Sequence, residues 1–532
     1  MRSRVAFAAG TLAAFVLAAA PVFAQKQGGT LKISHRDNPP SASIHEEATI
    51  SVVQPFMAVF NNLVMFDPNE KINSPDKIVP DLAESWSYNP EQTKLTFKLR
   101  SGVKWHDGKP FSAKDVKCTW DALIGQEEKS DLIRKNPRKV WYSNLKDVTV
   151  GSDTEVTFVL GRPQPSFLSM LAAGYSPVYA CHANGRDMRS KPIGTGPFKV
   201  VDFKRNESIK LVRNPDYWKK GRPYLDAIDW KIVPNRSTRM LGFVAGEFDM
   251  TFDSDVTFPM LSDVKAQKAD AVCEARPTNV NTNLLVNRDA PPFDNPELRR
   301  ALVLALDQKA FNDILFQGHA LQGASMLPPP AGFWGMPKEM LETLPGQSPD
   351  REKNLAEARK IMTSLGYGPD KPLKIKVSTR NIAIYRDPAV ILIDQLKQIY
   401  VDGELEPIDT TVWYTKIQSK KYTIGLNLTG LGVDDPDTNF YENFHSMSDR
   451  NYTGYKNPEV DKMIEQQSGE LDRDKRKKMV WEIEKKLAED GARPVINHNV
   501  ANTCWTPQMK GLVLQQNSIY NGWRFEDVWL DR

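Results

Sequence analysis

The chain has few cysteines and no excess of charge of one sign. Its 532 residues include four cysteines, and 70 Lys and Arg stand against 66 Asp and Glu, a formal net charge of +4. Four cysteines are too few for the dense disulfide framework of a small secreted scaffold. The length of the chain predicts about three structural units, each with its own core. A balanced charge without a long basic run gives no electrostatic basis for nucleic-acid binding. We therefore expect a large globular protein that does not bind nucleic acid.

Long apolar runs are absent after residue 24. The mean hydropathy of −0.47, with 40% hydrophobic and 26% charged residues, is typical of a soluble globular chain. Residues 1–24 combine two arginines, one apolar stretch and small residues before a cleavage site, the pattern of a secretory signal peptide. The apolar stretch could instead anchor the chain as a helix, but Gly10, Thr11 and the small residues before the cleavage site favour cleavage. No cysteine follows the predicted cleavage site, so we expect a mature chain that is free in the periplasm, without a lipid anchor.

Export permits disulfide bonds, and all four cysteines lie in the predicted mature part. They are Cys118, Cys181, Cys273 and Cys504, which allow three pairings, and their spacing selects none of them. The chain has no CxxC motif, and no two of its seven histidines are spaced four residues apart. We therefore predict no metal site and no cofactor.

Alternating hydrophobicity predicts strands in the first half of the chain. Thr30–His35, Leu95–Arg100 and Glu155–Leu160 carry apolar side chains at every second position. Between the second and third of these, Ser112 and Asp115 form a capping box ahead of an apolar stripe, which predicts the start of a helix. We expect this region to be rich in antiparallel strand pairs.

The second half of the chain alternates helix and strand patterns. Asn295-Pro296-Glu297 has the proline and the acid of a helix start, and further helix patterns recur with predicted strands between them. The tail from Cys504 to Arg532 is aromatic, so we expect it to pack back onto the first half. That return predicts two lobes joined by two crossings, near residues 279–285 and 497–503.

The common catalytic and nucleotide-binding motifs are missing. The chain has no GxxxxGK followed by Ser or Thr, no GxGxxG after a strand, no GxSxG elbow and no HExxH. His106 and Asp107 are the one pair that suggests a metal-dependent hydrolase, but Asp107-Gly108 is typical of a tight turn and no further ligand cluster accompanies it. We interpret the pair as a turn and predict that the protein is not an enzyme.

Three aspartates follow the predicted strand 422–429 closely. Asp435-Pro436-Asp437 matches a helix start with a cap, a proline and a first-turn acid. The same loop, which includes Asp434, comes at the carboxyl end of a strand in an α/β lobe, where ligands preferentially bind. The two interpretations are compatible, and both stay open.

Several longer motifs are similar to those of one known family, both in their residues and in their order along the chain. They are 80–86 (PDLAESW), 96–116 (TFKLRSGVKWHDGKPFSAKDV), 194–198 (GTGPF), 214–218 (NPDYW), 245–249 (AGEFD), the predicted helix 298–307, and 455–461 (YKNPEVD). From about Gly28 to the C-terminus, the chain resembles the peptide and nickel type of ABC-transporter solute-binding proteins, family 5 of the extracellular solute-binding proteins.

The resemblance implies an α/β fold of the two-lobed periplasmic binding protein type, class II and large, with a ligand cleft between the lobes. Residues 25–285 together with 499–532 are expected to form lobe I, with an extra subdomain inserted at about 66–190. Residues 286–498 are expected to form lobe II, after a signal peptide at 1–24. The two predicted crossings match the two joints that the family has between its lobes.

The resemblance also implies a function. Proteins of this kind are periplasmic substrate-binding subunits of ABC importers, which close over a solute and deliver it to a membrane permease and its ATPase. We therefore expect a monomer that binds a small peptide or peptide-like solute reversibly and without turnover. Alternatives are a non-peptide ligand such as an opine, a sugar conjugate or a metal chelate, a chemoreceptor-linked binder and, more remotely, an exported hydrolase.

Departures from the family pattern bear on the ligand. Peptide binders commonly place an aromatic residue and, three residues on, an aspartate for the peptide α-amino group directly after the strand equivalent to 422–429. The window Leu428–Gly432 has neither, so Asp434 or Asp435 is predicted to take that role if the loop is shifted. Where relatives often have Leu-Asp-Pro, this chain has Ile44-His45-Glu46, which favours a ligand other than an ordinary peptide. The predicted substrate-binding residues are Asp434, Asp435, Trp413, Thr429, His45, Phe252 and Asp253, and no catalytic residue is predicted.

Overall fold

The computed structural model describes residues 25–126, 131–328 and 332–532, so the predicted signal peptide lies outside the described residues. The strands are β1 (Thr30–His35), β2 (Val64–Phe66), β3 (Ile78–Pro80), β4 (Ala83–Tyr88), β5 (Lys94–Leu99), β6 (Leu145–Ser152), β7 (Glu155–Leu160), β8 (Phe198–Lys204), β9 (Ser208–Arg213), β10 (Ala227–Ile232), β11 (Val272–Val286), β12 (Leu321–Gln322), β13 (Leu373–Arg380), β14 (Val401–Ile408), β15 (Ile424–Gly430), β16 (Val495–Trp505), β17 (Met509–Lys510) and β18 (Trp529–Leu530).

The α-helices are α1 (Ile50–Phe56), α2 (Ala113–Ile124), α3 (Phe167–Ala172), α4 (Gly185–Ser190), α5 (Arg236–Val244), α6 (Phe258–Gln267), α7 (Pro296–Ala305), α8 (Gln308–Phe316), α9 (Lys338–Leu341), α10 (Arg351–Ser364), α11 (Ala383–Lys397), α12 (Thr410–Gln418), α13 (Pro436–Asn443), α14 (Pro458–Ser468) and α15 (Arg473–Glu489). Short 3-10 helices lie at Met57–Val59, Pro75–Lys77 and Lys139–Tyr142. Within the described ranges, no helix has the length and apolar character that crossing a bilayer requires.

The first lobe contains two four-stranded sheets. One has the order β1-β10-β9-β8, with β1 parallel to β10, and the other has the order β4-β5-β7-β6 and is antiparallel. In the second sheet the alternate residues Leu95 and Phe97 are buried against α2, whose start is fixed by a hydrogen bond from Ser112 N to Asp115 Oδ2 at 2.9 Å. The predicted strands and the capping box of this region are therefore confirmed.

The second lobe is built on a six-stranded mixed sheet. Its order is β12-β16-β11-β15-β13-β14, with β13 parallel to both of its neighbours and the other pairs antiparallel. Helices α7, α10 and α11 pack on it through a core that includes Leu302, Val377 and Leu392. Sheet and helices together confirm the predicted two-lobed α/β class.

The two longest strands run through both lobes. β11 and β16 pair from Val272 opposite Trp505 to Asn283 opposite Val495, with an irregular register between Pro277 and Asn281 and again between Thr282 and Asn283. At the end of β16, Met250 forms bridges both to Trp505 and to Ile33 of β1, so the strand pair continues into the sheet of the first lobe. The lobes are thus linked by a hydrogen-bonded strand pair rather than by two loops.

Disulfide bonds and the C-terminal tail complete the first lobe. Cys118 of α2 is bonded to Cys181, and Cys273 is bonded to Cys504 across the β11–β16 pair, so the structure selects one of the three possible pairings. The predicted return of the tail is confirmed, because Phe525 packs in the core of the first lobe with its ring centroid 6.1 Å from that of the Trp230 ring.

Candidate functional site

Buried ion pairs join the two lobes. Arg380, the last residue of β13, donates from Nη2 to the carboxylate of Asp37, two residues after β1. Glu442 of α13 has one oxygen 2.7 Å from Arg450 Nη1 and the other 3.8 Å from Nε of Arg138, a first-lobe residue. Because Asp37–Arg380 and Arg138–Glu442 join groups of different lobes, they form only when the lobes are in contact. The structure is therefore a closed state.

Hydrogen bonds hold the Arg380 guanidinium in one orientation. Its Nε donates to Thr410 Oγ1 at 3.0 Å and its Nη1 to the Tyr385 hydroxyl at 2.8 Å. The guanidinium also stacks on the Tyr385 ring, 4.7 Å from the centroid, and Ser51 Oγ donates to its partner Asp37 at 2.8 Å. Arg380 and Asp37 are thus fixed from both sides of the junction.

Arg138 is held from one side only. Its Nη1 donates to the backbone oxygen of Glu47 at 2.8 Å, and its guanidinium carbon lies 3.3 Å from the centroid of the Tyr175 ring. Its Nε and Nη2, which form one edge of the guanidinium, are buried and have no hydrogen-bond partner among the described residues. Nε of this edge faces Glu442 at 3.8 Å, so Arg138 is ion-paired across the junction but keeps two donors that make no hydrogen bond among the described residues.

Arg36 directly follows β1 and is only 4% exposed. Its Nε and Nη1 are buried without a hydrogen-bond partner in the described part of the chain, and burial lowers the pKa of its guanidinium. Two carboxylates interact with it electrostatically, those of Asp37 and Asp255. Arg380 already binds the first and Arg239 the second. The charge of Arg36 is therefore only partly compensated.

Tyrosine rings lie between these arginines. The ring centroids of Tyr175 and Tyr520, both of the first lobe, are 5.0 Å apart. Tyr520 also interacts electrostatically with three groups of the second lobe, Tyr385, Tyr414 and Arg450. The rings supply flat apolar faces and the hydroxyls supply hydrogen bonds. We refer to Arg36, Arg138, Arg380, Arg450, Tyr175, Tyr385, Tyr414 and Tyr520 as the cleft cluster.

Amide side chains in this part of the molecule also have buried atoms without partners. Among the residues that the structure describes, these include both polar side-chain atoms of Gln54, Asn279 and Asn502, and Nδ2 of Asn439. Gln54 lies one helical turn after Ser51, the residue that donates to Asp37. A buried polar group left unpaired costs about 1–3 kcal/mol, so a solute that bonds to several of them stabilises the closed state.

Asp434 is covered by a neighbouring segment. Its Oδ2 accepts from the Phe333 backbone N–H at 2.7 Å, and its backbone oxygen accepts from Trp334 Nε1 at 3.0 Å. Burial, with a smaller contribution from the neighbouring Asp435 carboxylate, raises the pKa of this carboxyl to about 7. Its Oδ1 is buried without a hydrogen-bond partner among the described residues, so the role of Asp434 in binding substrate stays a prediction.

Asp435 and Trp413 have structural positions. Asp435 caps α13 by accepting from Asp437 N at 2.9 Å, which confirms the predicted helix cap, and Arg476 binds its two oxygens at 2.8 and 3.1 Å. Trp413 is fully buried in the second lobe in a cluster with Leu285. Arg476 thus occupies the Asp435 carboxylate and the indole of Trp413 is packed in an apolar cluster, while ligand contact by either residue stays a prediction.

Thr429 and Phe252 each support an arginine. Thr429 Oγ1 accepts from Arg493 Nη2 at 2.7 Å, and the other two nitrogens of this arginine donate to asparagine side chains. Burial lowers the pKa of Arg493 to about 10. The ring of Phe252 lies under Arg36, 4.8 Å from its guanidinium carbon. Neither predicted residue offers an unused polar atom, so both position cationic side chains.

His45 and Asp253 are bonded within the first lobe. His45 Nε2 donates to the Pro177 oxygen at 2.7 Å, and burial lowers the pKa of the imidazole to about 4, so it is neutral at pH 7. Asp253 accepts from Arg276 Nη2 at 2.6 Å and from Thr503 Oγ1 at 2.8 Å. These bonds give both side chains a structural role, and their predicted contact with substrate stays a prediction.

Sequence reasoning missed the arginines and tyrosines of the cleft cluster. A usable signal was present for two of them, because Arg36 follows β1 directly and Arg380 ends β13, both strands with a parallel neighbour. The carboxyl ends of such strands are where α/β proteins bind ligands. Arg138 and Tyr175 lie in irregular segments, and no sequence pattern places them at the junction.

Two α/β lobes, a strand pair between them and a buried polar cluster at their junction define a two-lobed solute-binding protein. The chain belongs to family 5 of the bacterial extracellular solute-binding proteins, whose family model, for the middle part, matches residues 77–451. A two-lobed protein with a polar cluster between its lobes agrees with this family, whose members are extracellular solute-binding proteins.

Curated relatives and solved structures agree with this assignment. Heme-binding protein A of Haemophilus influenzae is 27% identical over 86% of this chain and 84% of its own, and oligopeptide-binding protein AppA of Bacillus subtilis is 26% identical over 79% and 78%. The periplasmic binding protein DppA of Helicobacter pylori, in complex with the peptide STSA, superimposes with a TM-score of 0.84 at 21% identity over 95% and 99% of the chains. AgaA of A. tumefaciens R10, in complex with agropinic acid, gives 0.82 at 19% identity over 95% and 99%.

Proposed function

We propose that this protein is the periplasmic substrate-binding subunit of an ABC importer. It captures a small peptide or peptide-like solute between its lobes and delivers it to a permease and its ATPase in the inner membrane. The observation that carries the proposal is the cleft cluster, in which buried donors without partners from both lobes meet. The relatives support a peptide-like solute, since AppA is named for oligopeptides and DppA holds a tetrapeptide.

Closure explains how binding becomes a signal for transport. A solute that touches both lobes binds the closed form more tightly than the open form and so shifts the population toward closure. In this chain the ion pairs Asp37–Arg380 and Arg138–Glu442 add to the closed form alone. A permease that recognises only the closed arrangement then receives only loaded protein.

The proposal includes the predicted organisation of the chain. Residues 1–24 are removed on export, 25–285 with 499–532 form lobe I with the insertion at about 66–190, and 286–498 form lobe II. The protein acts as a monomer and releases its solute unchanged. Thr429 and Phe252 take part in binding indirectly, through the arginines that they support.

Native mass spectrometry of protein exported to a periplasm tests the proposal. We expect an additional mass that departs on denaturation and that is recovered chemically unchanged. A solute altered after incubation with the protein would instead show an enzyme. The importer role is tested separately by deleting the matching permease, since uptake of the solute that persists at the wild-type rate would contradict it.

A further inference from the structure

Positive charge exceeds negative charge in the cleft cluster. Its four guanidinium groups interact electrostatically with four carboxylates, those of Asp37, Asp255, Glu442 and Glu47, and the first three are bonded to arginines. Two further arginines, Arg239 on Asp255 and Arg493 on neutral side chains, bring the number of guanidinium groups to six. Buried charge that lacks a counter-charge disfavours closure, so a bound anion stabilises the closed form.

Unused donors lie on two sides of the cluster. Beside Tyr175, Arg138 has two donors that make no hydrogen bond among the described residues, Nη2 and Nε, the latter 3.8 Å from Glu442; an edge of this kind can receive a carboxylate through two parallel hydrogen bonds. Arg36 offers Nε and Nη1 near Arg380. Tyr520 contacts the Tyr175 ring on the first side and interacts electrostatically with groups around Arg380 on the second. Two separate acidic groups on one solute therefore match the donors.

A partner for an ammonium group is not offered by the nearby carboxylates. Asp37 accepts from Arg380 and Ser51, and Glu442 lies between two arginines. Asp434 Oδ1 is buried without a hydrogen-bond partner among the described residues, but Oδ2 is bonded to the backbone of Phe333, and burial raises the pKa of this carboxyl to about 7, so it does not carry a full negative charge. Glu47 accepts from Ser41 Oγ at 2.8 Å and interacts with Arg138. A solute with a free amino terminus would bring a cation to a site that already has an excess of them.

We propose that the solute is an organic anion, a peptide-like molecule with at least two carboxylates and a substituted or absent α-amino group. This inference rests on the proposed function, since it specifies the solute of the same cleft. Arg138 and Arg36 bind its two acidic groups, and Tyr175 and Tyr520 pack against the part between them.

Calorimetric titration with four matched peptides tests the charge preference. The probes are N-acetyl-Asp-Glu, Asp-Glu, Ala-Ala and Lys-Lys, added to protein from which retained solute has been removed by unfolding and refolding. We expect N-acetyl-Asp-Glu to bind at least tenfold more tightly than Ala-Ala, Asp-Glu to fall between them, and Lys-Lys to give no binding.

Arginine variants locate the effect. We expect Arg138→Gln and Arg36→Gln each to weaken N-acetyl-Asp-Glu binding at least tenfold. Arg138→Lys also weakens it, because an ammonium lacks the two-donor edge. Arg186→Gln, at an exposed arginine of the first lobe, makes the same change in net charge and is expected to bind as wild type. The melting temperature without probe shows which variants are folded. If Arg138→Gln does not fold, the affinity of Arg36→Gln for N-acetyl-Asp-Glu decides the test.

The outcomes separate this inference from the proposed function. Tighter binding of Ala-Ala or Lys-Lys than of N-acetyl-Asp-Glu overturns the anion inference and leaves a solute-binding protein. If no probe binds, the solute retained by the exported protein decides: an acidic molecule supports the inference, and a neutral or basic one overturns it. Absence of both probe binding and retained solute overturns both proposals.

Discussion

Two charged regions at the lobe junction differ in how completely their groups are bonded. In the acid loop of residues 434–437, Asp435 and Asp437 are bound by Arg476, and Asp437 also accepts from Gln467 and from Ser468 Oγ. In the cleft cluster, arginines outnumber carboxylates and retain buried donors without partners in the described chain. The first region looks more like a binding site in the sequence, because acids are dense there. The acid loop keeps one buried polar atom of this kind as well, since Asp434 Oδ1 is buried without a partner in the described chain. We propose that unused bonding capacity, rather than density of charge, distinguishes a site for a ligand from a structural network.

Removing Arg476 should have the largest effect, on stability. Arg476→Ala leaves Asp435 and Asp437 buried without their cation, and loss of one member of a buried ion network costs about 3–5 kcal/mol. We expect a decrease of that size in the free energy of unfolding, measured by urea titration of tryptophan fluorescence. Solute affinity per folded molecule should not change. If Arg476→Ala had normal stability but weakened solute binding, the acid loop would be the region that binds the solute.

Asp434→Asn tests the acid loop through pH. The folded-state pKa of about 7 lies above the unfolded value of about 3.9, so the wild-type carboxyl contributes stability below pH 4 that is lost as the pH rises to 7. The asparagine variant does not titrate. We therefore expect its stability relative to wild type to increase by about 4 kcal/mol between pH 4 and pH 8.

Chemical unfolding at the two pH values measures this difference, and calorimetry at pH 7 supplies the control. Affinity for the solute should remain within about twofold of wild type, since Asp434 is bonded to Phe333 outside the cleft cluster. A loss of about tenfold would instead give Asp434 the role of contacting the solute directly.

Tyr175→Leu should have the smallest of the three effects, chiefly on binding, and it also costs some stability because the ring is buried in the core of the first lobe. The Tyr175 ring lies 3.3 Å under the Arg138 guanidinium, and a cation–π contact of a desolvated arginine is worth about 1–2 kcal/mol. We expect solute affinity to fall about tenfold with Leu and to remain near wild type with Phe, which keeps the ring. Equal losses with Leu and Phe would assign the effect to the hydroxyl.

The fold could be predicted wherever one face of an element is exposed. β1 and β7 have the predicted bounds, since the alternation of apolar and polar residues reports a single buried face. β11 was predicted only as a crossing, because most of its second half is buried on both faces and Pro277 interrupts the strand pattern. The pairing of Cys273 with Cys504 depends on strands that meet only in the folded chain.

The site was harder to predict for a physical reason. The sequence shows where acids cluster, and Asp435 was correctly predicted as a helix cap. It does not show whether a charge is already bonded, since the partner Arg476 is 41 residues away along the chain. Arg36 and Arg380 could have been found from their positions at strand ends, but the unused edge of Arg138 is a property of three-dimensional packing alone.

The strand pair between the lobes has a mechanical consequence. Two independent loops would allow the lobes to swing and to twist, whereas β11 and β16 form a ladder, fastened by Cys273–Cys504 near one end. Ladder hydrogen bonds resist shear and splaying, and their register is interrupted between Pro277 and Asn281 and again between Thr282 and Asn283. We expect the lobes to open by bending about this short interrupted stretch, as a hinge with one main degree of freedom. Distances between spin labels placed on the two lobes would then change along a single trajectory as solute is added.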